Sequence, residues 1–323
     1  MVSVAQLYRV SRRRGLTFPR RFPIYHFLGY CLSSGASGES GLNLHQVSVQ
    51  NMRASRVVQR VAIAGLGAIG KAVARKLDEG VAGLSLRAVA VRDPAGADAF
   101  LETLSRRPAV VALNAIASHA DIVVECASAQ LLVAIAEPVL REGKKLVVLS
   151  VGALLSNPQL GEIAERYNAQ ILVPTGALIG LDAVLAAAEG QIQSVRMVTR
   201  KPVKGLAGAP FLVEHGIGLD DLRGPMKVFS GTAREAASGF PSNLNVAAAL
   251  SLAGIGPDRT LVEVWVDPTV TRNTHRIEVD SDSATFSMTI ENIPSENPRT
   301  GRITAQSVIA LLRKLTSAMR VGT

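Results

Sequence analysis

One glycine pattern limits what this chain can fold into more than any other feature. It reads Gly65-Leu66-Gly67-Ala68-Ile69-Gly70 and directly follows an apolar run, residues 57–64, whose length suits a single buried β-strand. Apolar residues then recur at helical spacing. A glycine turn between a strand and a helix gathers unpaired backbone N–H groups that can bind phosphate. The pattern therefore predicts that this turn binds the pyrophosphate of a dinucleotide. The residues expected to contact the cofactor are Gly65, Gly67, Ala68, Ile69 and Gly70.

The next predicted strand, residues 84–91, ends beside two charged residues of opposite sign. Arg92 and Asp93 lie about 20 residues beyond Gly70, where this kind of nucleotide site has its ribose contact. The Asp93 carboxylate can accept a hydrogen bond from the ribose 2′-hydroxyl of NAD. The Arg92 guanidinium can instead bind the 2′-phosphate of NADP. Arg92 and Asp93 therefore do not decide whether the cofactor is NAD or NADP.

The hydrophobic pattern divides the chain near residue 179. Before it, short Val/Ile/Leu runs alternate with helical patterns, which predicts a Rossmann-type, doubly wound parallel sheet over residues 56–178. After it, apolar residues alternate with polar ones, which predicts a second, α+β domain over residues 179–299 with a mixed or antiparallel sheet. This second domain is the expected catalytic domain. A final helix within residues 300–323 is expected to pack back onto the first domain.

The first 55 residues are predicted to be a basic, disordered extension. Residues 1–50 hold six arginines and a single acid, Glu39, and so account for most of the net charge of +9. A targeting signal and translation from an upstream start, with Met52 as the true first residue, are the alternatives. Because the rest of the chain is only mildly basic and aromatic residues make up 4%, we expect no nucleic-acid partner. No apolar run is long enough to span a membrane, and two distant cysteines favour a cytoplasmic protein without a metal site.

A dehydrogenase needs a side chain that can exchange a proton with the reacting group, and histidine is best suited to this near neutral pH. The five histidines are His26, His45, His119, His215 and His275. The first two lie in the basic extension, and His119 belongs to the cofactor half. The residue types alone do not choose between His215, in a glycine-containing loop, and His275, at the start of a strand.

From about Arg60 to the C-terminus the chain resembles the L-aspartate dehydrogenase family. The matching segments occur in the family's order, and together they are far more specific than any one of them. They are the glycine pattern, Val124-Glu-Cys-Ala127, Ser150-Val-Gly-Ala-Leu154, Pro174-Thr-Gly-Ala177, Gly180-Leu-Asp-Ala183, Arg200-Lys-Pro202, Gly231-Thr-Ala-Arg-Glu-Ala-Ala237, Phe240-Pro-Ser-Asn-Leu-Asn-Val-Ala-Ala248 and Asp267-Pro-Thr-Val-Thr-Arg-Asn-Thr-His275.

The resemblance implies NAD(P)-dependent oxidation of L-aspartate to iminoaspartate, which yields oxaloacetate and ammonia or feeds NAD synthesis. It places the family's active-site histidine on His275 and its cofactor contacts in the second half on Ala177 and Asn245. The two carboxylates of aspartate require cations, for which Arg200, Lys201 and Lys204 are candidates. A homodimer is expected because most soluble oligomers are symmetric. The alternatives are another dehydrogenase or reductase of a small amino or keto acid, and a dinucleotide sensor without catalysis.

Overall fold

The fold is built on two β-sheets that follow one another along the chain. A computed structural model describes residues 57–241, 243–295 and 301–322. The predicted basic extension, residues 1–55, lies outside the described residues. In the described part, no helix combines the length and the apolar character that crossing a membrane would require.

The first sheet has six parallel strands in the order β3-β2-β1-β4-β5-β6, which is the order of the Rossmann fold. In chain order these strands are β1 (Gln59–Ala64), β2 (Leu84–Ala90), β3 (Ala109–Val110), β4 (Ile122–Glu125), β5 (Lys145–Val148) and β6 (Gln170–Leu172). Alternate residues of β1 enter two different buried clusters, Val61 and Ile63 in one, Ala62 and Ala64 in the other. Both faces of the sheet are therefore covered, as the continuous apolar runs predicted.

The helices of this half lie between the strands of the first sheet in the chain. They are α1 (Ala68–Gly80), α2 (Pro94–Leu101), α3 (Leu132–Arg141), α4 (Val151–Leu155) and α5 (Gln159–Arg166), with a 3-10 helix over Leu113–His119 and another over Ala129–Leu131. Helix α1 buries Val73, Ala74 and Leu77, so the face predicted from the apolar spacing is the packed one. Pro138 lies inside α3.

The second sheet is mixed, which confirms the predicted fold class. Its order is β11-β10-β7-β9-β8, and only the β7–β9 pair is parallel. The strands are β7 (Ile192–Lys201), β8 (Met226–Thr232), β9 (Thr260–Val266), β10 (Asn273–Ser281) and β11 (Thr285–Asn292). Strand β8 was not predicted. Its consecutive buried residues, Val228 and Phe229, lack the two-residue alternation of its neighbours.

The remaining helices pack on one face of this sheet or return to the first. They are α6 (Leu181–Ala188), α7 (Val203–Leu206), α8 (Pro210–Glu214), α9 (Ala233–Gly239), α10 (Asn245–Ala253) and α11 (Arg302–Thr316). Val308 and Leu312 of α11 lie in the same buried cluster as Val73 and Leu77 of α1. The last helix thus contributes to the core of the first sheet, although it follows the second sheet in the chain.

Candidate active site

The three glycines of the turn after β1 meet different surroundings. Gly65 has a φ of +97°, and a Cβ there would lie 2.5 Å from the carbonyl oxygen of Cys126. A Cβ on Gly70 would lie 2.1 Å from the carbonyl oxygen of Gly65. The fold itself therefore requires glycine at both positions.

Gly67 differs, because a Cβ at this position would meet no atom within 4 Å. The space above it is open, and Gly67 precedes α1 without a side-chain cap or an acidic residue in the first turn. Unpaired N–H groups at a bare helix start suit an anion. The turn thus fits the pyrophosphate of a dinucleotide, with Gly67 allowing the close approach.

A cavity of about 180 Å³ lies between the carboxyl ends of the first sheet and the second sheet. We call it the His275 cavity. Its wall combines Ile69 of the glycine turn with Ala177, Lys201, Asn245 and His275. Ile69 and His275 are more than 200 positions apart in sequence, and the fold brings them to the same cavity.

His275 lies on the buried side of β10 and is only 2% exposed. Its Nδ1 lies 2.8 Å from Oγ1 of Thr199, the residue opposite it on β7. Burial, and secondarily the charge of Lys201, lowers the pKa of His275 to about 3. The imidazole is therefore neutral at physiological pH, and its Thr199 contact fixes the ring orientation.

Lys201, the last residue of β7, is the one predicted cation that reaches this cavity. It is 2% exposed, and burial lowers its pKa to about 8. Within the described residues its ammonium group has no ion pair. A buried cation without a carboxylate partner is costly, so the cavity favours an anionic ligand.

The other two predicted cations do not reach this cavity. Side chains alternate along β7, so Arg200 lies on the opposite face, where its guanidinium carbon is 5.0 Å from the Trp265 ring centre and it pairs with Asp267 at 3.4 Å. Lys204 is exposed on α7. The structure therefore separates three residues that the sequence presents as equals.

Asn245 and Ala177 both line the cavity through fixed contacts. The Oδ1 of Asn245 accepts a hydrogen bond of 2.9 Å from the backbone N–H of Gly152. Since Leu244 occupies the cap position, Asn245 is the first residue of α10 rather than its cap. Asn292 donates to the carbonyl oxygen of Ala177 at 3.0 Å. These contacts hold both residues at the edge of the cavity next to the first sheet.

Sequence reasoning missed Glu125, a fully buried carboxylate at the end of β4. It accepts hydrogen bonds from the backbone N–H groups of Ala127 (3.0 Å), Leu149 (3.0 Å) and Ser150 (2.8 Å), and from the Ser150 hydroxyl (3.0 Å). Burial raises the pKa of Glu125, and these four donors oppose that rise. Glu125 thereby ties the ends of β4 and β5 together where they line the cavity. The one signal in the sequence is an acid closing an apolar run.

A second cavity of about 670 Å³ lies beside the glycine turn, and we call it the Arg92 cavity. Gly65, Lys71, Arg92, Asp93 and Gly96 are among the residues that line it. The Asp93 carboxylate caps α2 by accepting from the Gly96 N–H at 3.0 Å. Arg92 and Asp93 are both exposed. The predicted ribose contacts therefore lie against the same turn as the predicted pyrophosphate contacts.

Comparison with known proteins gives one consistent family. Residues 182–315 match the family model described as "Aspartate dehydrogenase, C-terminal", and residues 65–174 match "Homoserine dehydrogenase, NAD binding domain". The L-aspartate dehydrogenase of Bradyrhizobium diazoefficiens is 63% identical over 264 residues, which covers 82% of this chain and 94% of that relative. The L-aspartate dehydrogenase 3 of Bordetella bronchiseptica is 61% identical over 83% of this chain and 99% of its own length.

A solved structure supports the same assignment. The crystal structure of aspartate dehydrogenase from Thermotoga maritima matches with a TM-score of 0.62 and 25% sequence identity. The match covers 82% of this chain and 99% of that one. Sequence relatives and architecture therefore agree.

Proposed function

The chain belongs to the L-aspartate dehydrogenase family, and from this we propose that it oxidises L-aspartate to iminoaspartate with NAD or NADP as the oxidant. Iminoaspartate then hydrolyses to oxaloacetate and ammonia. One observation carries the assignment of the site. The His275 cavity joins a residue of the glycine turn to a buried histidine and a buried lysine that has no ion pair within the described residues.

The cofactor would lie along the carboxyl ends of the first sheet. The backbone N–H groups at Gly67, Ala68 and Ile69 would bind its pyrophosphate. Ala177 and Asn245 would hold its nicotinamide end, because both line the His275 cavity. The Oδ1 of Asn245 is already engaged by Gly152, which leaves its amide N–H group as the donor. When bound, the nicotinamide supplies the hydride acceptor for the substrate Cα.

Lys201 would bind one substrate carboxylate. Lys201 lines the cavity, and an incoming carboxylate would replace the hydration that burial has removed from its ammonium group. Pairing with an anion also raises the pKa of Lys201 above its value of about 8 in the free protein, so binding keeps the lysine charged. Lys201 would thus fix the orientation of the four-carbon chain.

His275 would take a proton from the substrate amine. If Nδ1–H donates to the Thr199 hydroxyl, Nε2 carries the free lone pair. The substrate's two negative charges favour the imidazolium form, and they raise the pKa of His275 above its low value in the free protein. The amine thereby loses its proton to Nε2 as the hydride leaves Cα, and the imidazolium can return that proton when water attacks the imine.

An assay of NAD and NADP reduction tests this function directly. L-aspartate is expected to support turnover, whereas D-aspartate, L-glutamate and L-malate are not. Equal or better turnover of another acid would move the chain to a related dehydrogenase. Tight NADH binding without turnover of any amino acid would instead support a sensor.

Two further expectations belong to the same proposal. We propose that iminoaspartate formed by this chain supplies NAD synthesis, which predicts that a coupled quinolinate-forming reaction consumes it. We also propose a homodimer, for which light scattering should give twice the chain mass of 34.0 kDa. A measured mass equal to one chain would contradict the proposed dimer and would leave the proposed reaction unaffected.

A further inference from the structure

Two cations line the Arg92 cavity, and a third lies close to one of them on α1. Lys71 and Arg92 line the cavity, and Arg75 lies one helical turn beyond Lys71 on α1. Arg75 and Arg92 are exposed, and Lys71 is half-buried. None of the three lines the His275 cavity, so the reaction proposed there does not explain their position.

Phe100 of α2 contacts two of these cations through its ring. The Lys71 ammonium nitrogen is 5.4 Å from the centre of the Phe100 ring, and the Arg75 guanidinium carbon is 5.1 Å from it. The ring is 7% exposed and therefore belongs to the core. Cation–π contacts of this kind favour a fixed position for each charge. Each of these two charges is thus held within about 6 Å of the same buried ring.

The cluster is not neutralised by the protein. Among the residues that the structure describes, Lys71, Arg75 and Arg92 form no salt bridge. The one acid that lines the Arg92 cavity is Asp93, and one of its oxygens already accepts from the Gly96 N–H. Three positive charges against one carboxylate leave an excess that a dianion can balance.

We propose that Lys71 and Arg92 bind the 2′-phosphate of NADP(H), with Arg75 adding charge from the next turn, so that this protein prefers NADP(H) to NAD(H). The proposal rests on the proposed function and deepens it by choosing between its two cofactors. Arg92 follows β2 at the position that faces the ribose in this fold. Lys71 follows the glycine turn, so the two cations approach the ribose from both neighbouring elements.

The test measures binding, with no aspartate present. The full chain is titrated with NADPH and with NADH, and nicotinamide fluorescence reports each Kd. We expect the NADPH Kd to be at least about tenfold lower at low salt, and the gap to shrink as salt screens the phosphate. Lys71→Ala and Arg92→Ala should each weaken NADPH by about tenfold and NADH by less than about twofold.

Lys76→Ala is the matched control. Lys76 lies on the same helix and pairs with Glu79 at 2.7 Å, so its loss should leave both dissociation constants unchanged. Competition between NADPH and two free probes, adenosine 2′,5′-bisphosphate and 5′-AMP, isolates the phosphate. The bisphosphate should compete better in the wild type and no better than 5′-AMP in Arg92→Ala.

Two results would overturn the proposal. One is a wild-type NADPH Kd equal to or above that of NADH. The other is an equal loss of both cofactors in the variants, which would place the cations at the pyrophosphate. The aspartate assay separates this from the reaction. Tight NADPH binding without aspartate turnover would reject the reaction alone, whereas turnover without a preference for the 2′-phosphate would reject this site alone.

Discussion

The glycine turn and the His275 cavity are built in opposite ways. The turn is made of backbone within six consecutive residues, and two of its glycines are required by contacts inside the fold. The cavity is lined by residues from distant parts of the chain, and two of its polar residues, Lys201 and His275, are buried. The first site follows from a local strand–turn–helix geometry, whereas the second depends on how distant strands pair.

Because they are built differently, the two sites should also affect folding stability differently. The turn exposes N–H groups that a helix start leaves unpaired in any case. The cavity buries Lys201 and His275, each with a pKa lowered by burial, and the Glu125 carboxylate beneath it. Changes at the cavity should therefore separate activity from folding, and changes at the turn should separate cofactor binding from folding.

The largest effect is expected from His275→Ala. Loss of the proton acceptor should lower kcat/KM for L-aspartate by about 10²- to 10⁴-fold and leave the Kd for NADPH within about twofold. Steady-state kinetics and fluorescence titration measure the two quantities. His215→Ala is the control, because His215 is exposed and stacks on Phe211. Activity of His275→Ala close to the wild type would remove the histidine from the mechanism.

Lys201→Met should have the next largest effect. Loss of the charged contact to a substrate carboxylate should reduce kcat/KM by about 100-fold, which corresponds to about 3 kcal/mol. The free energy of unfolding should stay level or rise, since a buried cation is replaced by an apolar chain. Lys204→Met, on the exposed side of α7, should change neither. A large loss of stability with unchanged KM would make Lys201 a structural residue.

Two glycine variants test the turn. Gly67→Ala places a methyl group in open space, so we expect folding stability to be unchanged and both cofactors to bind about tenfold more weakly. Gly70→Ala forces a methyl group against the Gly65 carbonyl, and it should lose about 1–3 kcal/mol of unfolding free energy. Thermal melts and NADPH titration distinguish them. The same outcome for both variants would contradict the separate roles of these glycines.

Much of the fold could be predicted because its signals are local. The apolar run before the glycine turn contains β1, and the alternation predicted beyond residue 179 is seen in β9, where every second residue is buried. Strand β8 could not be predicted from alternation because its buried residues are adjacent in sequence. For the site, the local pattern alone predicts the cofactor turn, whereas the choice of His275 over His215 comes from the family resemblance.

The rest of the site depends on contacts that the sequence does not contain locally. Thr199 meets His275 only because β7 pairs with β10 across about 75 residues. Arg200 and Lys201 differ in position because side chains alternate along β7, so one residue of register decides which face each occupies. Glu125 serves two loops that are far apart in sequence. Such choices require the three-dimensional pairing of strands.

Near neutral pH, the smallest expected effect is the pH dependence of dicarboxylate binding. Succinate has two carboxylates and no amine, so its own charge is constant above neutral pH. Burial lowers the pKa of Lys201 to about 8, so the lysine is charged below that pH and loses its proton above it. The inhibition constant of succinate against aspartate should therefore be level near neutral pH, about twofold higher at about pH 8, and about tenfold higher at about pH 9. Lys201→Met should bind succinate weakly at every pH, without this rise. A wild-type inhibition constant that stays level up to about pH 10 would show that the succinate site does not contain Lys201. The His275 cavity would then lack the cation that is proposed to bind the substrate carboxylate.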